Sequence, residues 1–127
     1  MLYGIGIDVV EVDRIRSSLS TYGDQFLARI FTPTEQEYCE QQKQRELSYA
    51  ARFAAKEAIA KAFGTGIGKS IGWTDLEIQR RESGEPCVAL HGRAADLAAS
   101  LKVTEVKISL THAQHYAAAN AVILIAS

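Results

Sequence analysis

"LSYAARFAAKEAIAKAF", residues 47–63, is the stretch on which the fold turns. It holds no proline or glycine, is built on alanine, and stops at Gly64, a natural C-terminal cap for a helix. Of residues 50 to 63, ten are apolar or alanine and four are charged: Arg52, Lys56, Glu57 and Lys61. A helix that is apolar almost all round belongs in an interior. Each of the four charges therefore needs a reason to be there.

Upstream, "YGIGIDVVEV", residues 3–12, alternates Tyr3, Ile5, Ile7 and Val9 on one face with Gly4, Gly6, Asp8 and Val10 on the other. This reads as a buried strand carrying a carboxylate. An ionised carboxylate among apolar neighbours costs several kcal/mol unless cations or donors compensate it. The small residues on the Asp8 face leave space for a compensating group. Residues 13–30 suit two short helices broken near Gly23. "TPTEQEYCEQQ" then opens a helix with Thr32 as cap, Pro33 in the first turn and Glu35 completing a capping box.

Downstream of the long helix comes a glycine-rich loop, "GTGIGKSIG". Strands "WTDLEIQR" and "PCVALHG" flank the turn "RESGE", "RAADLAASL" is a short amphipathic helix, and two alternating strands surround "THAQHY". One strand, several helices, a hairpin, a helix and a second hairpin indicate an α+β fold. We expect a single domain over residues 1–127, with a mostly antiparallel sheet packed on the long alanine-rich helix.

The composition narrows the function. Hydrophobic residues make up 47% and charged residues 23%, and no apolar run reaches the roughly 20 residues of a membrane span. The N-terminus lacks the basic region and cleavage site of a signal peptide. Cys39 and Cys87 share no metal or disulfide spacing, so free thiols in a reducing, cytoplasmic setting are expected. A net charge of −1 gives no general attraction to nucleic acid or to an anionic membrane.

Two phosphate motifs fail on spacing. "GIG" at Gly4 has Val9 where a dinucleotide fingerprint needs its third glycine, and "GKS" at Gly68 has Phe63 where a P-loop needs its first. Asp8 and Glu57 are more informative. Each is an acid in a strongly apolar element, and together they suit Mg²⁺, which is held by one or two carboxylates with waters and phosphate oxygens. Taken singly, an ion pair with a local Arg or Lys, or a partly exposed edge, accounts for either acid. Lys61 lies one turn from Glu57, as either surface pairing or a phosphate contact, and Arg52 and Lys56 line an adjacent face. His112 ends a strand and His115 follows in the turn, where both are compatible with plain solvation.

"GIGIDVVEVDRI", "RFAAKEAIAKAFGTGIG" and "SLTHAQHYAAANAVI" resemble the holo-[acyl-carrier-protein] synthases, the short class of 4'-phosphopantetheinyl transferase, end to end and in order. The resemblance implies transfer of phosphopantetheine from coenzyme A to a serine of apo acyl carrier protein in fatty-acid biosynthesis. The reaction would need Mg²⁺ and release adenosine 3',5'-bisphosphate. Asp8 and Glu57 match the metal-binding carboxylates. Arg52, Lys61 and His112 match contacts to coenzyme A phosphates, and Arg14 matches a carrier-protein contact. It further implies a homotrimer with active sites between subunits. In the turn the family often writes Gly-Lys-Pro, this chain has Gly84, Glu85 and Pro86. On this reading Glu57, directly or through a water, takes the serine proton, and Lys61 neutralises charge on the phosphates. A non-catalytic trimer that binds coenzyme A or a nucleotide, and a hydrolase of coenzyme A, are the competing readings.

Overall fold

The computed structural model describes residues 1–127. The chain runs β1 (Leu2–Glu11), α1 (Val12–Tyr22), α2 (Asp24–Ile30), α3 (Pro33–Glu40), α4 (Arg45–Phe63), β2 (Leu76–Arg80), β3 (Pro86–Leu90), α5 (Gly92–Leu101), β4 (Val103–His112) and β5 (Tyr116–Ile125). The alanine-rich stretch is α4, beginning two residues earlier than its apolar pattern and closing on Gly64 in the left-handed conformation. It lies across a three-stranded antiparallel sheet of order β1-β5-β4, while β2 and β3 pair in a separate antiparallel hairpin. The expected single α+β domain is therefore the observed one.

The seam between β1 and α4 is built from the smallest residues. Gly4 and Gly6 of β1 face Ala58 and Ala62 of α4 at backbone range, so a Cβ on Gly6 would stand 2.8 Å from the Ala62 amide nitrogen. The helix backbone itself fills the space that these glycines leave on the Asp8 side of β1. The Tyr3, Ile5, Ile7 and Val9 face of β1 is the opposite of buried: Ile5 and Ile7 are each 67% exposed. β1 is an edge strand, and only its glycine-bearing side meets the helix.

The α3 capping box forms as expected, with the Thr32 amide donating to Glu35 Oε1 at 2.9 Å and the Glu35 amide to Thr32 Oγ1 at 3.2 Å. Glu35 has a second task. The Lys56 ammonium is fully buried and donates to Glu35 Oε1 at 2.7 Å, the Ile30 carbonyl at 2.7 Å and the Trp73 carbonyl at 3.0 Å. Those bonds use all three of its donors. Glu35 Oε2 accepts from the Ile78 amide at 2.6 Å. This cluster ties the end of α2, the start of α3 and β2 to the middle of α4. Burial pushes the Lys56 ammonium down from its usual range, against the pull of Glu35. Lys56 is thus withdrawn from the phosphate-facing cations and becomes a structural clamp.

Candidate active site

Asp8 sits midway along β1 on the side facing α4, in register with Ala119 of β5. Glu57 and Lys61 are one helical turn apart on α4 and share the flank that overhangs β1. The Lys61 ammonium donates to Asp8 Oδ1 at 2.9 Å and to the Ile7 carbonyl at 3.1 Å. The compensation of Asp8 within the chain is therefore an ammonium, the local ion pair that the sequence left open for this acid. Because Lys61 turns to Asp8, Glu57 is left to the cluster's electrostatics. Partial burial pushes its carboxyl above the usual range, the Asp8 charge adds to that rise, and Lys61 opposes it.

Two carboxylates that repel each other beside one ammonium form a hard-oxygen donor set with surplus negative charge. That set would suit a hard divalent cation such as Mg²⁺, held by Asp8 and Glu57, whose charge would offset the repulsion. No cluster of three His, Cys, Asp or Glu side chains exists that could hold a metal without outside ligands.

Arg52 lies elsewhere. Five residues before Glu57, it projects about 140° around the helix, toward the β4 side of the sheet. It lines a cleft of about 450 Å³ with His112, which ends β4, and with Tyr38, Lys43, Ser48 and Arg80. The side chain is buried at 3% exposure, with Nη1 donating to Ser48 Oγ at 3.0 Å. Its Nε is the sole buried side-chain polar atom in the protein without a partner. An unmet buried donor costs about 1–3 kcal/mol, more when charged, unless something satisfies it. His112 is exposed at the mouth of this cleft. The sequence-derived residues thus separate into Asp8, Glu57 and Lys61 on one flank of α4, and Arg52 with His112 on the other. The two outer strands that carry Asp8 and His112 are about 10 Å apart across β5.

Arg14 is exposed on α1. Its neighbour Arg16 takes up the local acids, pairing with Asp13 and with Glu46. Near the junction of α1 and α2, Tyr22, Phe26, Arg29, Phe53 and Trp73 line a shallower depression. Cys39 and Cys87 are free, as expected, and burial pushes the Cys39 thiol up. No helix is long and apolar enough to cross a membrane. Sequence reading missed Tyr38 and Arg80, which reach the Arg52 cleft from α3 and β2. Neither lies in a motif or at a helical spacing that would announce it.

The fold agrees with comparison to known proteins. The chain belongs to the 4'-phosphopantetheinyl transferase superfamily, whose family model matches residues 4–121. Within it, the relatives are holo-[acyl-carrier-protein] synthases. The chain is 49% identical to that of Chlamydia trachomatis over 121 residues, covering 95% of this chain and 98% of the relative. With that of Koribacter versatilis it shares 43% over 123 residues, covering 97% and 98%. Among solved structures, the synthase from Neisseria meningitidis superposes with a TM-score of 0.91 at 31% identity, covering 98% of this chain and 99% of that one. The Helicobacter pylori synthase in complex with coenzyme A gives 0.85 at 29%, covering 94% and 99%. The chain is accordingly a phosphopantetheinyl transferase of the holo-[acyl-carrier-protein] synthase kind.

Proposed function

We propose that residues 1–127 act as one domain that moves 4'-phosphopantetheine from coenzyme A to a serine of apo acyl carrier protein, in the cytoplasm and in support of fatty-acid biosynthesis. The observation that carries the mechanism is the Asp8–Glu57–Lys61 cluster, in which two like charges meet one ammonium. Asp8 and Glu57 would hold Mg²⁺. When bound, the ion supplies positive charge against the diphosphate of coenzyme A and eases departure of the leaving oxygen. Lys61 neutralises the same phosphates from the helix side. Glu57, whose carboxyl is pushed above its usual range by burial and by the Asp8 charge, accepts the proton of the attacking serine in its ionised form, directly or through one water. The serine oxygen bonds to the β-phosphorus of coenzyme A, the bond from that phosphorus to the bridging oxygen breaks, and adenosine 3',5'-bisphosphate leaves.

Arg52 and His112 serve another phosphate of coenzyme A. Their separation from Glu57 across α4 supports a site completed between copies, one contributing the carboxylate flank and its neighbour the cationic cleft. The exposed face of β1, with Ile5, Ile7 and Val9 at 67%, 67% and 60%, supports burial of that face in the assembly. We take the assembly to be a trimer, as the family resemblance implies. Arg14, exposed and outside the local ion pairs, would dock the carrier protein. We expect Arg14→Glu to raise KM for carrier protein about tenfold while KM for coenzyme A stays within twofold; equal losses would remove Arg14 from docking.

Incubation with coenzyme A, Mg²⁺ and apo carrier protein, read by intact mass, tests the whole reading. Carrier protein heavier by one phosphopantetheine is expected. Free phosphopantetheine would indicate a hydrolase, and unchanged masses a binding module.

A further inference from the structure

The Tyr38 ring is the hub of the cationic cleft. The Arg52 guanidinium carbon lies 4.2 Å from its centroid and that of Arg80 lies 5.5 Å from it. Arg80 is also held by two hydrogen bonds, Nε donating to the Tyr38 hydroxyl at 2.9 Å and Nη1 to the Gly84 carbonyl at 2.6 Å. Those bonds occupy two of its five donors and leave three for another acceptor. One aromatic ring therefore gathers two guanidinium groups that would otherwise repel each other, each stacked on π density. None of the side chains lining the cleft is an acid, and Lys43 and His112 add to its positive character. The unpartnered, buried Nε of Arg52 is a second, independent sign that this cleft awaits an acceptor.

Resting on the function proposed above, we propose that Arg80 is a further phosphate-binding residue and that Tyr38 is a positioning residue holding Arg52 and Arg80 over one phosphate monoester. The chemistry of the two flanks separates the phosphates. Carboxylates on the Asp8 flank repel a phosphate unless a cation intervenes, which suits a metal-bridged diphosphate. The cleft has cations and no carboxylate, which suits the dianionic 3'-monoester of coenzyme A without a metal. The stack also explains how a solvent-exposed arginine on the β2 edge is ordered enough to recognise an anion. Its fork is fixed at the ring and at the β2–β3 turn before substrate arrives.

The test uses the full-length protein and titration calorimetry with adenosine 3',5'-bisphosphate and with adenosine 5'-monophosphate, alongside kinetics with coenzyme A and 3'-dephospho-coenzyme A. Wild type should bind the bisphosphate at least tenfold more tightly than the monophosphate. Arg80→Gln should cost about tenfold in bisphosphate affinity and in KM for coenzyme A, with kcat and the constants for the 3'-dephospho compound within twofold. Tyr38→Phe, which keeps the ring and frees Arg80, should cost about threefold, and Tyr38→Leu should match or exceed Arg80→Gln. Unchanged discrimination in Arg80→Gln, or equal losses with and without the 3'-phosphate, would overturn the proposal. So would a Tyr38→Leu protein that loses thermal stability and keeps full discrimination. Calorimetry needs no turnover, so a protein that discriminates and fails to transfer would sink the proposed function and leave this inference standing.

Discussion

Substitution of Gly6 by alanine probes the contact on which the carboxylate cluster depends. The new Cβ would stand 2.8 Å from the Ala62 nitrogen and 3.0 Å from the Ala58 carbonyl carbon, and closer still to the Ala58 oxygen. Ordinary non-bonded separation is about 3.5 Å or more, so β1 and α4 must part by on the order of 1 Å. The obstructing atoms belong to the helix backbone and cannot turn aside as a side chain would. Overpacking of this kind costs about 1–3 kcal/mol, and the upper end applies to an unyielding backbone. Alanine recovers about 0.4–1 kcal/mol by restricting the unfolded chain, leaving a net loss near 2 kcal/mol. For a chain of this size that is a fall in Tm of roughly 8 °C. Function should suffer more than stability. The strand that recoils carries Asp8 two residues on, and a displacement of about 1 Å at a reacting centre costs up to ~100-fold in rate. The assay pairs calorimetric Tm with kcat for transfer to carrier protein, measured well below the transition. Ala58→Gly in the same background should not rescue either quantity, because the clash is with main-chain atoms. A Gly6→Ala protein within 2 °C of wild-type Tm and with undiminished kcat would refute the reasoning.

Other perturbations address the electrostatics and the assembly. In the absence of Mg²⁺, Asp8→Asn should lower the raised Glu57 titration followed by carboxyl NMR; a rise would contradict the like-charge contribution. The same shift has a sign for stability: a raised folded-state pKa makes Glu57 most favourable below its unfolded value, with that contribution lost as pH climbs through the folded one. Without Mg²⁺, Glu57→Gln should therefore raise Tm at pH 7 and leave it nearly unchanged at pH 4. Lys56→Met strands the Glu35 charge in the interior and should cost about 3–5 kcal/mol in urea unfolding, and Glu35→Gln added to it, which removes the charge and keeps an acceptor, should recover part of that loss. Full stability in the single variant would deny the clamp. Ile7→Glu, on the uncovered face of β1, should shift sedimentation to the monomer and abolish transfer while the circular dichroism spectrum is kept; an unshifted oligomer would exclude that face from the interface.

Much of the architecture is legible in local pattern. Alanine content, the absence of breakers before Gly64, the Thr32–Glu35 capping box and the hairpin turn at Gly84 are all short-range physics, settled within a few residues, and each element formed where that physics puts it. The membership of Asp8, Glu57 and Lys61 in one cluster is half legible. The helical period places Glu57 beside Lys61, but only the packing of β1 on α4 through Gly4 and Gly6 brings Asp8 to them. Lys56 shows the converse. It looks identical to Lys61 along the helix, yet its direction into α3 and β2 makes it a buried clamp, because which side of a wholly apolar helix meets sheet, helix or water depends on what packs there. The apolar stripe of β1 faces outward for the same reason.

Residue chemistry alone determined that this chain carries an alanine-built central helix, two acids needing a cation, and a family pattern running its whole length. Tertiary structure alone decided that Lys61 answers Asp8 and that Arg52 joins Tyr38, Arg80 and His112 in a cleft on the far flank. Contacts between residues tens of positions apart depend on how elements pack, and no periodicity within a single element records that.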